Sequence, residues 1–318
     1  MYYLGIDLGG TNIAAGLVNE EMKLVAKTGM PTQAKDGVDA IVARMAQAAE
    51  KVVAEYGITM DDVECIGIGT PGVVDDQKKE VAFAANLGFL HTPVVALLEK
   101  HLPGKKIYIG NDADVAAYGE YMAGAAKGAP TNMTITLGTG VGGGLIIDGK
   151  IFNGFNHAGG EFGHIVIKQG GRPCTCGRKG CWEAYASVTG LIATTHEVME
   201  AHPESKMWEL TGGSSDIERI SGLTSWDAMR AGDAAGKEVV DQYIKDVATG
   251  LTDVINIVQP EVLCIGGGIS KEGDALLLPV REIVEREMFA RHSETHTEIR
   301  IAKLGNDAGI IGAALLGK

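Results

Sequence analysis

Apolar and polar positions along the first third of the chain predict short strands followed by helices. Three strands are expected at the start, over 2–7, 13–18 and 23–27. Apolar residues between Val38 and Val52 then recur at steps of three and four, which is typical of an amphipathic helix, and Gly57 is placed to end it. The next elements are a strand over 63–69, a helix over 94–102, a strand over 106–109 and a helix over 112–123. The predicted order is βββαβαβα.

The same order begins again near residue 133. Strands are predicted over 133–137 and 141–147, and a helical stretch over 188–231 precedes the longest helix, over 236–258, which Pro260 ends. A strand over 262–265, a helix over 275–288, a strand over 299–304 and a helix over 307–316 complete the chain. Residues 4–11 also resemble residues 134–140, so the pattern indicates a duplicated α/β domain. We expect one domain over 1–117 plus 304–318, closed by the last helix, and a larger one over 118–303.

The composition fits a chain with a hydrophobic core and excludes several classes of protein. Of the 318 residues, 45% are hydrophobic and 45 are Gly, about twice the usual share of glycine. The glycines have no three-residue period, which excludes collagen, and no run of about 18 apolar residues predicts a membrane-spanning helix. A formal net charge of −13 argues against a nucleic-acid or anionic-membrane partner. The start of the sequence resembles no secretory signal, so we expect a cytoplasmic protein.

Segment 7–12 predicts a glycine turn between two strands, with a carboxylate before it. Gly9 and Gly10 let the backbone come close to a phosphate group, and Thr11 and Asn12 add side-chain donors. Asp7 repels a bare phosphate but can hold Mg²⁺ or its waters. An Asp-Gly hairpin without a ligand is the alternative interpretation.

A second glycine turn follows the strand over 133–137. Gly138, Thr139 and Gly140 begin a G-x-G-x-x-G pattern, which in a dinucleotide-binding fold leads into a helix. Here the sequence continues as a strand, so a hairpin that contacts phosphate is favoured over a dinucleotide fingerprint.

A third glycine loop follows the strand over 262–265. Gly266, Gly267 and Gly268 precede a helix, where a ligand contact and close helix packing are both open interpretations. No G-x-x-x-x-G-K-[ST] sequence is present, which excludes a Walker-type NTPase. Three such loops in one chain indicate phosphate binding more strongly than any one of them.

The cysteines divide into a cluster and two single residues. They are Cys65, Cys174, Cys176, Cys181 and Cys264. The middle three form with His164 the pattern H-x₉-C-x-C-x₄-C, a Cys₃His set of the kind that holds structural zinc. Spare thiols or a redox pair are the alternatives, because the spacing differs from paired C-x-x-C. The other two lie in apolar runs and are expected to be buried in strands.

A strand that ends in Asn111-Asp112 carries the candidate base. A carboxylate at a rigid strand end can take the proton from a hydroxyl that attacks a phosphoryl group. Asp112 can equally be the N-cap of the following helix, and the residues alone leave both interpretations open. Asp114, two residues further on, is expected to be a surface carboxylate in the first helical turn.

Three motifs together resemble the ROK family (repressor, open reading frame, kinase) of the actin/hexokinase superfamily. They are D-L-G-G-T at 7–11, G-G-E-F-G-H at 159–164 and C-T-C-G-R-K-G-C-W-E at 174–183. The similarity extends over residues 3–316 and is greatest to the bacterial ATP-dependent glucokinases of the family. It implies two actin-like (ribonuclease H-like) domains, with a sugar site in the cleft between them and ATP behind it.

The resemblance also implies roles for single residues. Asn111 and Asp112 correspond to a sugar-binding pair that includes the general base. The other expected sugar contacts are Asn86, Glu161, His164, Glu183 and, through its backbone, Gly72. The motif that contains His164, Cys174, Cys176 and Cys181 binds zinc in the family. The filled ligand set implies a structural ion, and the free imidazole nitrogen would face a sugar hydroxyl. Phe89 stands where many relatives have an aromatic residue, often Trp, which bears on fine specificity.

The implied activity is phosphorylation of glucose at its 6-hydroxyl with ATP and Mg²⁺. N-acetylmannosamine, mannose, allose or fructose is the alternative acceptor, and polyphosphate an alternative donor. The family also contains sugar-responsive repressors, which carry a helix-turn-helix domain where this sequence has six residues before Asp7. Family members are commonly dimers or tetramers, so we expect a homodimer or homotetramer. The apolar face of helix 236–258 could belong to an interface or to the core.

Overall fold

The computed structural model describes the whole chain, Met1–Lys318. The chain forms two compact units. The first consists of Met1–Thr134, Gly143–Gly160 and Ala302–Lys318, and the second of Ile135–Gly142 and Glu161–Ile301. The sequence predicts one duplicated domain over 1–117 plus 304–318 and the other over 118–303. These limits stay a prediction.

Thirteen strands and ten helices follow one another along the chain. The strands are β1 (Tyr2–Leu8), β2 (Asn12–Asn19), β3 (Leu24–Pro31), β4 (Val63–Thr70), β5 (Val73–Asp75), β6 (Glu80–Ala84), β7 (Phe89–Thr92), β8 (Lys106–Asn111), β9 (Asn132–Leu137), β10 (Val141–Ile147), β11 (Lys150–Ile151), β12 (Val262–Gly266) and β13 (Glu298–Ile301). The helices are α1 (Val38–Tyr56), α2 (Val94–His101), α3 (Asp112–Ala123), α4 (Glu183–Ala186), α5 (Val188–Ala201), α6 (Met207–Leu210), α7 (Thr224–Arg230), α8 (Ala234–Val258), α9 (Asp274–Glu287) and α10 (Ala308–Leu315).

Two five-stranded sheets have the same topology. The first has the order β3-β2-β1-β4-β8 and the second β11-β10-β9-β12-β13, so each strand of the second sheet has a counterpart in the first. β1 is antiparallel to β2 and parallel to β4, and β12 is parallel to β13. Helices α1, α2 and α3 follow the strands of the first module as α8, α9 and α10 follow those of the second. The predicted duplicated βββαβαβα order is confirmed.

A third sheet, of strands β5, β6 and β7, was not predicted. β6 pairs antiparallel with both of its neighbours. The strands have only three, five and four residues, and a polar turn of lysines and acids separates the first two. This sheet matters for the site, because the chain passes from β6 through Asn86 to β7.

Helix ends follow the signals in the sequence. α1 buries the apolar positions Ile41, Met45, Ala48 and Val52, and Gly57 ends it with φ 85° in the left-handed region. Because glycine has no Cβ, it adopts this conformation without steric cost. The longest helix, α8, ends at Val258 just before Pro260, as expected.

Glycines let α10 approach the first sheet very closely. A Cβ on Gly67 of β4 would lie 1.8 Å from the carbonyl oxygen of Ala313, and one on Gly5 of β1 would lie 1.9 Å from that of Ile310. A Cβ on Gly312 would likewise lie 1.8 Å from the Val115 carbonyl oxygen of α3. Part of the glycine excess therefore serves the packing of the C-terminal helix and not the phosphate loops.

Replacing Gly67 by Ala is expected to lower the free energy of unfolding by about 3 kcal/mol, because the new methyl group meets backbone atoms of α10 that cannot move aside. Chemical denaturation of the purified variant measures this change. Gly268→Ala is a suitable control, since a Cβ there meets nothing within 4 Å. Equal stability of the Gly67→Ala variant and the wild type would contradict the close packing.

The core of the second unit is built around α8. Val240, Tyr243, Val247, Leu251 and Val254 are buried along one face, so the predicted apolar stripe is a core face. A Cβ on Gly250 would lie 2.1 Å from the Trp182 ring, and the Trp182 Nε1–H donates to the Asp246 carbonyl at 2.9 Å. The buried Trp182 thus ties the cysteine segment to the core helix. No helix in the chain combines the length and the apolar character that spanning a bilayer requires.

Candidate active site

The first glycine turn is a hairpin between β1 and β2. The Gly9 N–H donates to the Asn12 carbonyl at 2.9 Å, and the Thr32 hydroxyl donates to the Gly9 carbonyl at 2.6 Å. A Cβ on Gly10 would lie 2.9 Å from Nδ2 of Asn86, so the predicted sugar contact and the predicted phosphate loop are neighbours. Thr11 is exposed at the tip of the turn, where a ligand can reach it.

Two carboxylates lie at the carboxyl ends of parallel strands beside this hairpin. Asp7 is in β1 and Asp112 directly follows β8, with β4 between the two strands. Burial raises the pKa of Asp7 to about 6, and the negative charge of Asp112 adds to the shift. Burial also raises the pKa of Asp112, although the Ala113 N–H donates to its Oδ1 at 2.9 Å. The anionic forms of both groups are therefore disfavoured, which suits one to bind a cation and the other to accept a proton.

Space at Asp7 depends on the last helix. A Cβ on Gly309, in the first turn of α10, would lie 2.9 Å from Oδ2 of Asp7. Only glycine at this position leaves room for the carboxylate, and no sequence pattern indicated this contact because it joins residues about three hundred positions apart.

Asn111, and not Asp112, is the N-cap of α3. Its Oδ1 accepts hydrogen bonds from the N–H groups of Ala113 at 2.9 Å and Asp114 at 3.3 Å. Its Nδ2 donates to the Gly72 carbonyl at 3.0 Å, and Gly72 has φ 95°, which explains the glycine in that turn. The interpretation of Asp112 as the N-cap was wrong, so the cap of α3 does not depend on the Asp112 carboxylate.

Asp114 is buried, with 5% of its surface exposed. The expectation of a surface carboxylate was wrong, because this side of α3 is covered by β10: a Cβ on Gly144 would lie 2.8 Å from the Asp114 Cα. Exposure of a helical residue depends on its tertiary neighbours, which local spacing does not reveal.

The second glycine turn is also a hairpin and leads into the strand β10, as predicted. The Gly138 N–H donates to the Gly140 carbonyl at 3.0 Å. The start of α5 supports the turn, since the Val188 N–H donates to the Gly138 carbonyl and the Thr189 hydroxyl to the Thr139 carbonyl, both at 2.8 Å. The strand after the turn confirms that the G-x-G-x-x-G pattern is not a dinucleotide fingerprint.

The third glycine loop passes directly beside the second. Gly267 has φ 85°, and a Cβ on it would lie 2.2 Å from the carbonyl oxygen of Leu137. The close approach is therefore to β9 and not to a helix. Gly268 faces open space, so the loop presents free backbone next to the second hairpin.

The four predicted metal ligands form a cluster in the second unit. The Sγ atoms of Cys176 and Cys181 are 3.6 Å apart, and Sγ of Cys174 is 3.6 Å from Nδ1 of His164. All four donor atoms lie within 4.8 Å of one another. Tetrahedral zinc with Zn–S bonds near 2.3 Å separates its ligands by about 3.8 Å. The donor set therefore fits a tetrahedral zinc ion in both chemistry and spacing.

Glutamates adjoin this cluster on two sides. Oε2 of Glu161 is 4.0 Å from Nε2 of His164, the nitrogen that faces away from the thiols. Glu183 accepts a hydrogen bond from the Val141 N–H at 3.0 Å through Oε2, and its Oε1 is 3.7 Å from Sγ of Cys174. Glu183 thus links the cysteine segment to the end of the second glycine hairpin, a connection that sequence reasoning missed because it spans about forty residues.

The predicted site residues thus fall into two groups. Those gathered in the first unit are Asp7, Gly9, Gly10, Thr11, Asn12, Gly72, Asn86, Asn111 and Asp112. Those gathered in the second unit are Gly138, Thr139, Gly140, Glu161, His164, Cys174, Cys176, Cys181, Glu183, Gly266, Gly267 and Gly268. Their roles toward ligands stay predictions.

Replacing Asp7 by Asn is expected to stabilise the protein in the absence of metal. Because the pKa rises from 3.8 to about 6 on folding, the folded state holds more protons between these pH values, and the free energy of unfolding falls as pH rises through them. Asp7→Asn removes this loss, so at pH 7 the variant should be more stable by on the order of 1–3 kcal/mol, with little difference at pH 4.

Denaturation in EDTA at pH 4, 5, 6 and 7 measures the effect. The exposed Asp148→Asn substitution, in a turn of the first unit, should leave the pH profile unchanged. A stability difference between Asp7→Asn and wild type that does not grow with pH would contradict the raised pKa.

Comparisons with known proteins match the chain over its whole length. The model of the ROK family matches residues 3–318. A glucokinase from Halalkalibacterium halodurans is 37% identical, with 100% of this chain and 95% of the relative covered. A glucokinase from Thermotoga maritima is 34% identical, with 98% and 95% covered.

A solved structure is similar throughout as well. It is a ROK family glucokinase from Streptomyces griseus in complex with glucose and AMPPNP, 35% identical, with a TM-score of 0.81 and with 99% of this chain and 98% of that chain covered. Sequence motifs, sheet topology and full-length similarity agree, and the chain belongs to the ROK family.

Proposed function

We propose that this protein transfers the γ-phosphoryl group of ATP to the 6-hydroxyl of glucose. The observation that supports this most is the full-length similarity, at 35% identity, to a ROK glucokinase in complex with glucose and AMPPNP. Asp112 and Asp7 lie at one edge of a sheet beside the first glycine hairpin, where they would serve as the base and the cation ligand.

In this proposal Asp112 is the general base. The carboxylate takes the proton of the glucose 6-hydroxyl as that oxygen forms a bond to the γ-phosphorus, and the bond between this phosphorus and the β-γ bridging oxygen breaks to release ADP. The raised pKa of Asp112 makes the carboxylate a better proton acceptor than an exposed Asp. Its position in the first turn of α3, next to the N-cap Asn111, fixes its direction.

Sugar binding is proposed for residues of both units. Asn86 and Asn111 would contact glucose from the first unit, where the Gly72 carbonyl holds the Asn111 amide. Glu161, His164 and Glu183 would contact it from the second. Carboxylates and amides placed around a polyol accept and donate the hydrogen bonds that fix one hydroxyl for attack.

ATP is proposed to lie along the three glycine loops. The hairpins at Gly9–Asn12 and Gly138–Gly140 would offer N–H groups to the phosphates, and Gly266–Gly268 would pass beside the adenosine. Free backbone at Gly268 and the exposed Thr11 are consistent with such contacts. When Mg²⁺ is bound with ATP it neutralises phosphate charge, and Asp7 is the residue that would hold it.

Zinc is proposed as a structural ion on His164, Cys174, Cys176 and Cys181. Four protein ligands leave no open position for a reacting water, so the ion would supply a crosslink and no chemistry. With Nδ1 of His164 toward the metal, Nε2 remains free beside Glu161 and can face a sugar hydroxyl.

A coupled assay of ADP release across a panel of hexoses tests the proposed function. Glucose is expected to have the highest kcat/KM, ahead of mannose, allose, fructose and N-acetylmannosamine. Polyphosphate in place of ATP tests the donor. A higher kcat/KM for one of the other sugars would identify that sugar, and not glucose, as the preferred acceptor. The absence of ADP release with every sugar would contradict a hexose kinase.

A further inference from the structure

Loop 152–160 precedes Glu161 and is folded back on itself in the first unit. The Gly159 N–H donates to the Asn153 carbonyl at 2.8 Å, which closes the loop. The side chain of Phe155 at its tip is 99% exposed, so the tip packs against nothing. Another contact must therefore fix the direction of the loop.

His157 supplies that contact. Nε2 of its ring is 3.5 Å from Oδ1 of Asp75, and Nδ1 is 3.4 Å from Oδ1 of Asp76. Asn153 Nδ2 is 3.3 Å from the same Nδ1. The imidazole is thus held between two carboxylates with 17% of the side chain exposed, and we refer to His157, Asp75 and Asp76 as the histidine clamp.

The contacts of Asp75 favour a clamp of polar side chains over a metal site at these residues. Nζ of Lys78 is 3.0 Å from Oδ2 of Asp75, and the Lys78 N–H donates to Oδ1 of Asp75 at 2.9 Å. The Lys78 N–H, and after it the Lys78 ammonium group, lower the pKa of Asp75, and both carboxylate oxygens already have a partner in Lys78. A cation would have to displace Lys78 to gain a full carboxylate ligand.

The clamp joins the two chain segments that lead to proposed sugar contacts. Asp75 ends β5, and β5 pairs with β6, which leads into Asn86. His157 lies four residues before Glu161, at the point where the chain leaves the first unit. His157 has φ 61°, in the left-handed region that a residue with a Cβ seldom adopts and that glycine adopts freely.

We infer that His157 is a positioning residue for the acceptor sugar: by its contacts with Asp75 and Asp76 it fixes the 152–160 loop and so sets the place from which Glu161 reaches the sugar. This inference rests on the proposed function. The imidazole does not itself touch the substrate. Its loss should therefore weaken glucose binding and leave ATP binding and the rate at saturating glucose unchanged.

His157→Gly is the most informative substitution, because glycine adopts the same backbone conformation without a Cβ and removes only the clamp. We expect the KM for glucose to rise about tenfold, with kcat and the KM for ATP within about twofold of wild type and with an unchanged Tm. His157→Asn, which tolerates this backbone region and keeps one donor, should give an intermediate KM. Asp76→Asn should raise the KM for glucose less, and should add nothing in the His157→Gly background.

Gln259→Gly is the matched control. Gln259 also has a positive φ, of 49°, but it is exposed at the end of α8 and lies near no proposed sugar contact in the chain. This variant should keep the wild-type KM for glucose. A glucose KM within twofold of wild type for His157→Gly, or a joint loss of kcat, ATP affinity and Tm, would overturn the inference.

Hydrogen exchange separates this inference from the proposed function. Amides of residues 152–164 should exchange faster in His157→Gly than in wild type, whatever the enzyme phosphorylates, and equal exchange would overturn the clamp. Wild-type protein that fails to phosphorylate glucose would instead contradict the proposed function.

Discussion

The Asp112→Asn variant is expected to lose between about 10²- and 10⁴-fold in kcat while it still binds glucose. Asparagine keeps the size of the side chain and can still accept from the Ala113 N–H, so the start of α3 should keep its shape. It cannot take the proton of the attacking hydroxyl. Steady-state kinetics give kcat, and glucose titration by calorimetry gives the affinity.

Asp114→Asn is the control for this substitution. Asp114 lies in the same helical turn but is buried, so its replacement should reduce stability and leave kcat within a few-fold of wild type. Retention of more than a tenth of wild-type kcat by Asp112→Asn would refute its assignment as the base. The acid limb of the wild-type kcat/KM profile should also lie above the usual Asp range near pH 4, because burial raises the pKa of Asp112.

The Cys176→Ser variant is expected to lose zinc, stability and glucose affinity together. Removing one of four ligands weakens the hold on the ion, and His164 would then lose the bond that orients its ring. Metal content by elemental analysis should fall from about one zinc per chain to near zero, and the KM for glucose should rise on the order of 10- to 100-fold. A fall in Tm should accompany the loss of the crosslink.

Cys65→Ser controls for the chemistry of the substitution. Cys65 is a buried thiol of β4, far in sequence from the metal cluster, so this variant should lose stability and keep its zinc. A Cys176→Ser protein without zinc but with wild-type glucose kinetics would contradict the proposed link between the ion and the sugar site. Wild-type protein purified without any metal would contradict the zinc proposal itself.

Local patterns were sufficient to predict most of the fold. Most strands and helices of both modules, the end of α1 at Gly57 and the end of α8 before Pro260 were expected from periodicity and helix-end signals. The small sheet β5–β6–β7 was missed, because strands of three to five residues hold too few positions for an alternation to be visible.

Features that depend on distant contacts could not be predicted. The room for Asp7 depends on α10, about three hundred residues further along the chain, and Asp114 is covered by Gly144 of β10. Whether Asn111 or Asp112 caps α3 depends on which of the two is the last residue before the helical backbone conformation begins. Motif residues of the site could be named from short sequence patterns, whereas the links between them, such as Glu183 to the Val141 N–H, required the structure.

Direct identification of the product tests the central claim. Wild-type and Asp112→Asn proteins, incubated in parallel with ATP, Mg²⁺ and glucose, would be followed by phosphorus NMR. We predict that the wild type converts ATP to ADP and yields glucose 6-phosphate as the single sugar phosphate, while the variant yields almost none in the same time. A phosphate at another hydroxyl, ATP hydrolysis without a sugar phosphate, or equal product from both proteins would contradict the account.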